Sequence, residues 1–163
     1  MERTTEYFEE PGRNNTDRTL SLARQRAEEA GIGVLVLAST RGYTAERALA
    51  LCAGRKLIVV GIQRERFDRN VSAELEDAGN LIFAAEVEYT YPAEMQRAFR
   101  RFGQGTKVAV EVVVCAVQAG LVEVGARVIA VGGSGGGADT ALVVRAAWDL
   151  SDIWVSEVIC KPE

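Results

Sequence analysis

Histidine is absent from the 163-residue chain. That removes the side chain most often used as a general base near neutral pH. With it go any Ser-His-Asp triad, Cys-His pair or His-based metal site. Cysteine is scarce. Cys52, Cys115 and Cys160 lie 63 and 45 residues apart, spacings that match no zinc or redox motif. Such an odd, scattered set reads as reduced thiols in a cytoplasm, buried as small apolar side chains. Long apolar runs are missing too. The longest, Gly33–Ala38 and Val112–Val117, fall well short of the roughly 20 residues of a membrane span. The opening Met1-Glu2-Arg3-Thr4-Thr5-Glu6 is too polar and acidic for a signal peptide. These absences predict a soluble, cytoplasmic protein with no membrane partner. Positive charge is in deficit, with Lys plus Arg 19 against Asp plus Glu 23, a net charge of −4 and a pI near 5.1. That balance argues against nucleic acid as a partner.

What is present is ordinary for a folded protein: 48% hydrophobic and 26% charged residues, a balance that excludes disorder. The length predicts one domain over residues 1–163. A chain of this size buries roughly two-thirds of its unfolded surface and needs no covalent staples.

Residues 1–15 carry the loop signal Glu10-Pro11-Gly12-Arg13-Asn14-Asn15. Asn15 or Thr16 can cap a helix whose apolar stripe is Leu20, Leu22, Ala23, Ala27 and Ala30, with Gly31 placed as its C-terminal glycine. Short continuous apolar runs follow at 33–38, 56–61 and 80–85. They are separated by helical stretches at 45–52 and 72–78, the second stopped by Gly79, and by a charged loop at 63–70. Continuous runs are the mark of strands buried on both faces. Pro92 suits the start of a helix over 93–102. Residues 107–119 carry alternating valines like a strand, but Gln104, Lys107, Glu111 and Gln118 fall within about 60° on a wheel of 3.6 residues per turn. That clustering predicts a helix buried almost all round. Strands are expected at 127–131, 141–144 and 155–160, the last antiparallel near an edge. The alternation predicts a three-layer α/β fold with a mostly parallel open sheet.

Two loops after strands have the chemistry to hold an anion. Gly132, Gly133, Ser134, Gly135, Gly136 and Gly137 precede Ala138, Asp139 and Thr140, so five of the six residues from 132 to 137 are glycine. Without Cβ atoms, backbone N–H groups approach a ligand closely and form an anion nest. No Gly-Lys-Ser/Thr follows, so this is not a Walker loop, and no Rossmann fingerprint opens a helix here. The alternative is a flexible connection. The second loop, Ser39-Thr40-Arg41-Gly42-Tyr43-Thr44, lies between a strand's carboxyl end and a helix N-terminus. Ligands bind in that crevice of open α/β sheets, and free amides with a partial positive charge favour anions there. Ser39 or Thr44 could equally be a simple cap. Asp139 could accept from a ligand hydroxyl or cap its own loop.

These stretches resemble a known family. Ala38-Ser-Thr-Arg-Gly-Tyr-Thr-Ala45 is similar to the phosphate loop of the C-terminal α/β domain of pyruvate kinase, and the glycine loop ending Ala138-Asp-Thr-Ala141 is similar to its second effector loop. In several pyruvate kinases these loops hold a sugar-bisphosphate activator. The resemblance is closer to small stand-alone relatives of that domain in archaea and some bacteria. It runs through Tyr7–Gly12 with Asn15-Thr16, Arg101-Phe-Gly-Gln-Gly-Thr-Lys-Val-Ala-Val-Glu111, Ile129–Gly133 with Gly137–Ala141, and Glu157–Pro162. It implies the pyruvate kinase C-terminal fold and a phosphorylated small molecule as partner. It suggests flavin mononucleotide (FMN) as that molecule, with Ser39, Thr40, Arg41, Gly42, Tyr43, Thr44, Gly132, Gly133, Ser134, Gly135, Gly137, Ala138, Asp139 and Thr140 as the site. Relatives carry a longer segment, with a histidine and a Ser-Gly pair, where this chain has Glu86–Pro92. Tyr89 and Tyr91 could stack on an aromatic ring there or be rim residues. Pyruvate kinase chemistry needs a barrel domain with metal ligands, for which an α/β domain filling 163 residues leaves no room.

Three readings follow. The first is a binding domain for a phosphorylated ligand. The second is an enzyme using Lys107 and Glu111, one helical turn apart, as an acid/base pair, against a simple ion pair. The third is a homo-oligomeric module joined through the apolar 107–119 helix with Trp148 and Trp154.

Overall fold

The computed structural model describes residues 1–78, 80–87 and 91–163. The apolar runs form strands β2 (Val34–Ala38), β3 (Lys56–Gly61), β4 (Leu81–Phe83), β5 (Arg127–Gly132), β6 (Thr140–Arg145) and β7 (Trp154–Pro162). The N-terminal segment adds β1 (Glu6–Phe8). The seven strands make one sheet in the order β1-β7-β6-β5-β2-β3-β4. Pairing is parallel for β1–β7, β2–β3, β2–β5 and β3–β4. It is antiparallel for β5–β6 and β6–β7. The expected α/β architecture with a mostly parallel sheet is therefore present, with the antiparallel pairing toward one side and β1 outside β7.

Helices α1 (Thr16–Ala30), α2 (Tyr43–Leu51) and α3 (Arg69–Asp77) cover one face, and α4 (Ala93–Arg100) and α5 (Gln104–Gln118) the other. Two apolar layers result. Leu20, Leu35, Leu37, Ala48 and Phe83 belong to the first. Val36, Ile58, Val110, Val114 and Leu142 belong to the second. Alternation along β2 explains the split, since successive side chains point to opposite faces.

Several boundaries differ from expectation for local physical reasons. Asp68, read as part of a charged loop, caps α3 by accepting from the Asn70 and Val71 amides, so that helix starts at Arg69. Gly79, read as its stop, lies outside the described residues. Asn15 does not cap α1 with its side chain. Its amide instead donates to the Glu10 carbonyl at 2.7 Å. Gly31 ends α1 in the left-handed conformation as expected. The sequence carries no strand signal at β1, because it is three residues long and pairs with a strand about 150 residues away in the chain. α5 is a helix, and its valines are spent within the chain's own core. The valines of this helix are covered by the chain itself, while Trp148 and Trp154 are exposed.

Candidate functional site

Strand register brings the two loops together. β2 and β5 are parallel neighbours with Leu37 opposite Val131. Two residues further on, both chains leave the sheet on the same rim, at Ser39 and Gly133. β3 and β4 end on that rim as well. Between these ends and α5 lies a cleft of about 380 Å³. Its polar side is Ser39, Thr40 and Thr44 with Gly133, Gly135, Gly136 and Gly137. Its apolar side includes Val60, Ile62, Ala84, Val108 and Val112. Gln104, Lys107, Glu111 and Tyr91 complete it.

The first loop is shaped by α2. Gly42 stands at its N-cap with φ 110°, a conformation that disfavours any side chain, and a Cβ there would lie 3.1 Å from Asp68 Cβ. Ser39 Oγ accepts from the Ala45 amide at 3.3 Å, so it is a cap that also lines the cleft. Thr44 is buried and faces the same space, and Thr40 stands exposed at the mouth. Arg41 and Tyr43 do not line the cleft. Arg41 is exposed, with its carbonyl accepting from the Asp68 amide. The Tyr43 ring is covered by the Arg13 guanidinium, 3.6 Å from its centroid.

The glycine loop is packed rather than a free tether. A Cβ at Gly132 would overlap the Gly105 carbonyl and lie 2.7 Å from the Ala109 amide nitrogen, so α5 rests directly on β5 here. A Cβ at Gly137 would lie 2.5 Å from Arg13 Cα. Asp139 is fully buried and accepts from the Gly12 amide at 2.9 Å and the Thr140 hydroxyl at 2.8 Å. The Ala138 amide donates to Thr16 Oγ1 at 3.0 Å. Asp139 and Thr140 therefore hold the loop in place and do not face the cleft, and neither do Gly132, Ser134 and Ala138. Residues 12–16 touch both loops, Arg13 on the first and Gly12 and Thr16 on the second. Sequence reasoning missed this clamp, because it read the segment as a loop. Its one signal was the resemblance carried by Tyr7–Gly12 and Asn15-Thr16.

The α5 wall carries charge. Lys107 Nζ lies 3.0 Å from Glu111 Oε2, with only 15% and 10% of the two side chains exposed. Glu111 Oε1 is buried and, among the described residues, meets no hydrogen-bond donor. Burial raises the Glu111 carboxyl above the ordinary glutamate value, against the opposing pull of Lys107 and Arg100. The Tyr91 hydroxyl donates to the Glu111 carbonyl at 3.2 Å, which makes Tyr91 part of the wall. Tyr89 lies outside the described residues.

Comparison with known proteins agrees with this architecture. The model of the pyruvate kinase α/β domain family matches residues 17–144. The crystal structure of a pyruvate kinase from Cryptosporidium parvum superposes with a TM-score of 0.50 at 17% identity, over 80% of this chain. The chain spans 22% of that protein's length. Among the described residues no helix is long and apolar enough to cross a membrane.

Proposed function

We propose, for a chain that belongs to the pyruvate kinase α/β-domain family, that the cleft binds a phosphorylated small molecule. The observation that carries this reading is the meeting of two anion-suited loops, about 90 residues apart in the chain, on one rim of the sheet. Ser39, Thr40 and Thr44 offer hydroxyls at the positive end of α2. Gly133, Gly135, Gly136 and Gly137 bring backbone to the opposite side. Lys107, paired with Glu111, adds a basic side chain to the wall. A site with phosphate donors on one side and apolar walls on the other suits a phosphomonoester with a substantial organic part.

FMN is the specific candidate. The cleft of about 380 Å³ lies within the range of about 300–1,000 Å³ for small-molecule sites. Val60, Ile62, Ala84, Val108 and Val112 offer an apolar wall for a flat ring. The orphaned Glu111 oxygen offers an acceptor, so the residues present fit the group. When bound, the flavin would supply hydride or single-electron chemistry. Thr40 and its neighbours would orient its phosphate, and the valines would exclude water from the ring.

The test is a fluorescence titration with FMN and, in parallel, calorimetry with ribose 5-phosphate. Wild-type protein is expected to bind at least one of them, and FMN more tightly than riboflavin. Thr40→Asp, an exposed position, places a carboxylate beside the phosphate and is expected to weaken binding by about 10-fold or more. Binding of riboflavin and FMN with equal affinity would refute the phosphate role. Absence of binding to either phosphate ester and to inorganic phosphate would refute the whole reading.

A further inference from the structure

An ionisable side chain with one oxygen paired and the other buried without a donor is expensive for a fold to keep. A buried acceptor without a donor forfeits its hydration uncompensated, and the loss is larger when it is charged. Glu111 Oε2 is held by Lys107, while Oε1 has no donor among the described residues, and the side chain is nine-tenths buried in the wall of the cleft. Packing within α5 does not require a glutamate here. The flanking Val110, Val112 and Val113 are buried apolar residues, and an apolar side chain at 111 would remove the orphaned oxygen. Glu111 lines the cleft, and its carboxylate is a terminal group with a broad torsional preference.

We propose that Glu111 is a specificity residue, accepting a hydrogen bond from a hydroxyl or N–H on the organic part of the ligand. This rests on the phosphate reading above and narrows it. The ligand is a phosphomonoester carrying a hydrogen-bond donor on its non-phosphate end, such as a sugar or polyol hydroxyl or a ring imide N–H. Lys107, one turn earlier on α5, holds Oε2 and so orients the carboxylate. Purely apolar phosphate esters are rejected because they would bury Glu111 still lacking a donor, a penalty of the kind that separates a hydrogen-bonded substrate from its analogue.

The test compares wild type with Glu111→Leu and the near-isosteric Glu111→Gln. Each is titrated calorimetrically with inorganic phosphate, ribose 5-phosphate, FMN and phenyl phosphate, an ester without a donor on its organic part. Circular dichroism and thermal melting check the fold. The expected result is a loss of about 10-fold or more for ribose 5-phosphate and FMN in Glu111→Leu. Glu111→Gln is expected to fall between, and inorganic phosphate not to weaken. Phenyl phosphate should bind Glu111→Leu at least as well as wild type. Should Glu111→Leu fail to fold, the Gln variant gives the same comparison with a smaller loss. Unchanged affinity of both variants for ribose 5-phosphate and FMN would overturn the role of Glu111 while leaving the phosphate site intact. Equal losses for all four probes would also overturn it, because they would mark general disruption of the cleft. Failure of wild type to bind any probe would instead remove the phosphate site, and this inference with it.

Discussion

Glu111 is the residue on which most of the site's electrostatics turn. Its carboxyl is raised by burial, and Lys107 and Arg100 only partly offset that cost. A carboxyl whose folded pKa lies above its unfolded one contributes stability that is fully present below the unfolded value, near 4.3, and lost as pH rises through the folded value. Without ligand, the stability of wild type relative to Glu111→Gln should therefore fall as pH rises above about 4. Urea-denaturation midpoints at unit pH intervals check this, and a difference constant across the range would contradict it. The thiols behave otherwise. Burial pushes Cys52 and Cys115 up to about 11 and Cys160 to about 12, so all three stay protonated and unreactive at neutral pH. The buried Arg26 of α1 meets Glu157 of β7 at 2.9 Å, a pair that sets how the helix sits on the sheet.

At the scale of elements, the contact of α5 with β5 decides whether the cleft has a back wall. Gly132 and Gly105 let backbone touch backbone there, with Gly105 also facing the buried Thr140 and Asp139 side chains. Gly132→Ala should force α5 outward and cost about 1–3 kcal/mol, the usual penalty of overpacking. Chemical denaturation measures the loss. An unchanged midpoint would mean that the helix accommodates a methyl group without moving. The sequence made this helix legible through its polar stripe, because Gln104, Lys107, Glu111 and Gln118 share one side of a wheel. The start of α3 was not legible. Asp68 looks like one charge among several in residues 63–70, and its capping role depends on a backbone turn that composition does not reveal.

At the scale of the molecule, the N-terminal segment and the glycine loop form one unit. Gly12 and Asp139 are 127 residues apart yet share a hydrogen bond, and Arg13 lies over Tyr43 of the other loop. Asp139→Asn weakens a buried, charge-assisted anchor and should destabilise the fold by about 1–3 kcal/mol. It should also speed amide exchange at residues 133–137 and lower affinity for ribose 5-phosphate. Hydrogen-exchange mass spectrometry separates these effects. Unaltered protection in that loop would show that Gly12 does not hold it.

The amino-acid sequence by itself determined the layers and the two loops. The apolar runs at 33–38, 56–61 and 127–131 have strand length and turn signals beside them, and five glycines after one of them permit close backbone approach, both consequences of local sterics and periodicity. Tertiary structure alone decided that β2 and β5 are parallel neighbours, and hence that Ser39 and Gly133 leave the sheet side by side. It also decided that β1 pairs with β7, that Asp139 faces inward, and that one Glu111 oxygen has no donor among the described residues. Each depends on partners far along the chain, and their meeting is set by how whole layers close, which no local pattern encodes.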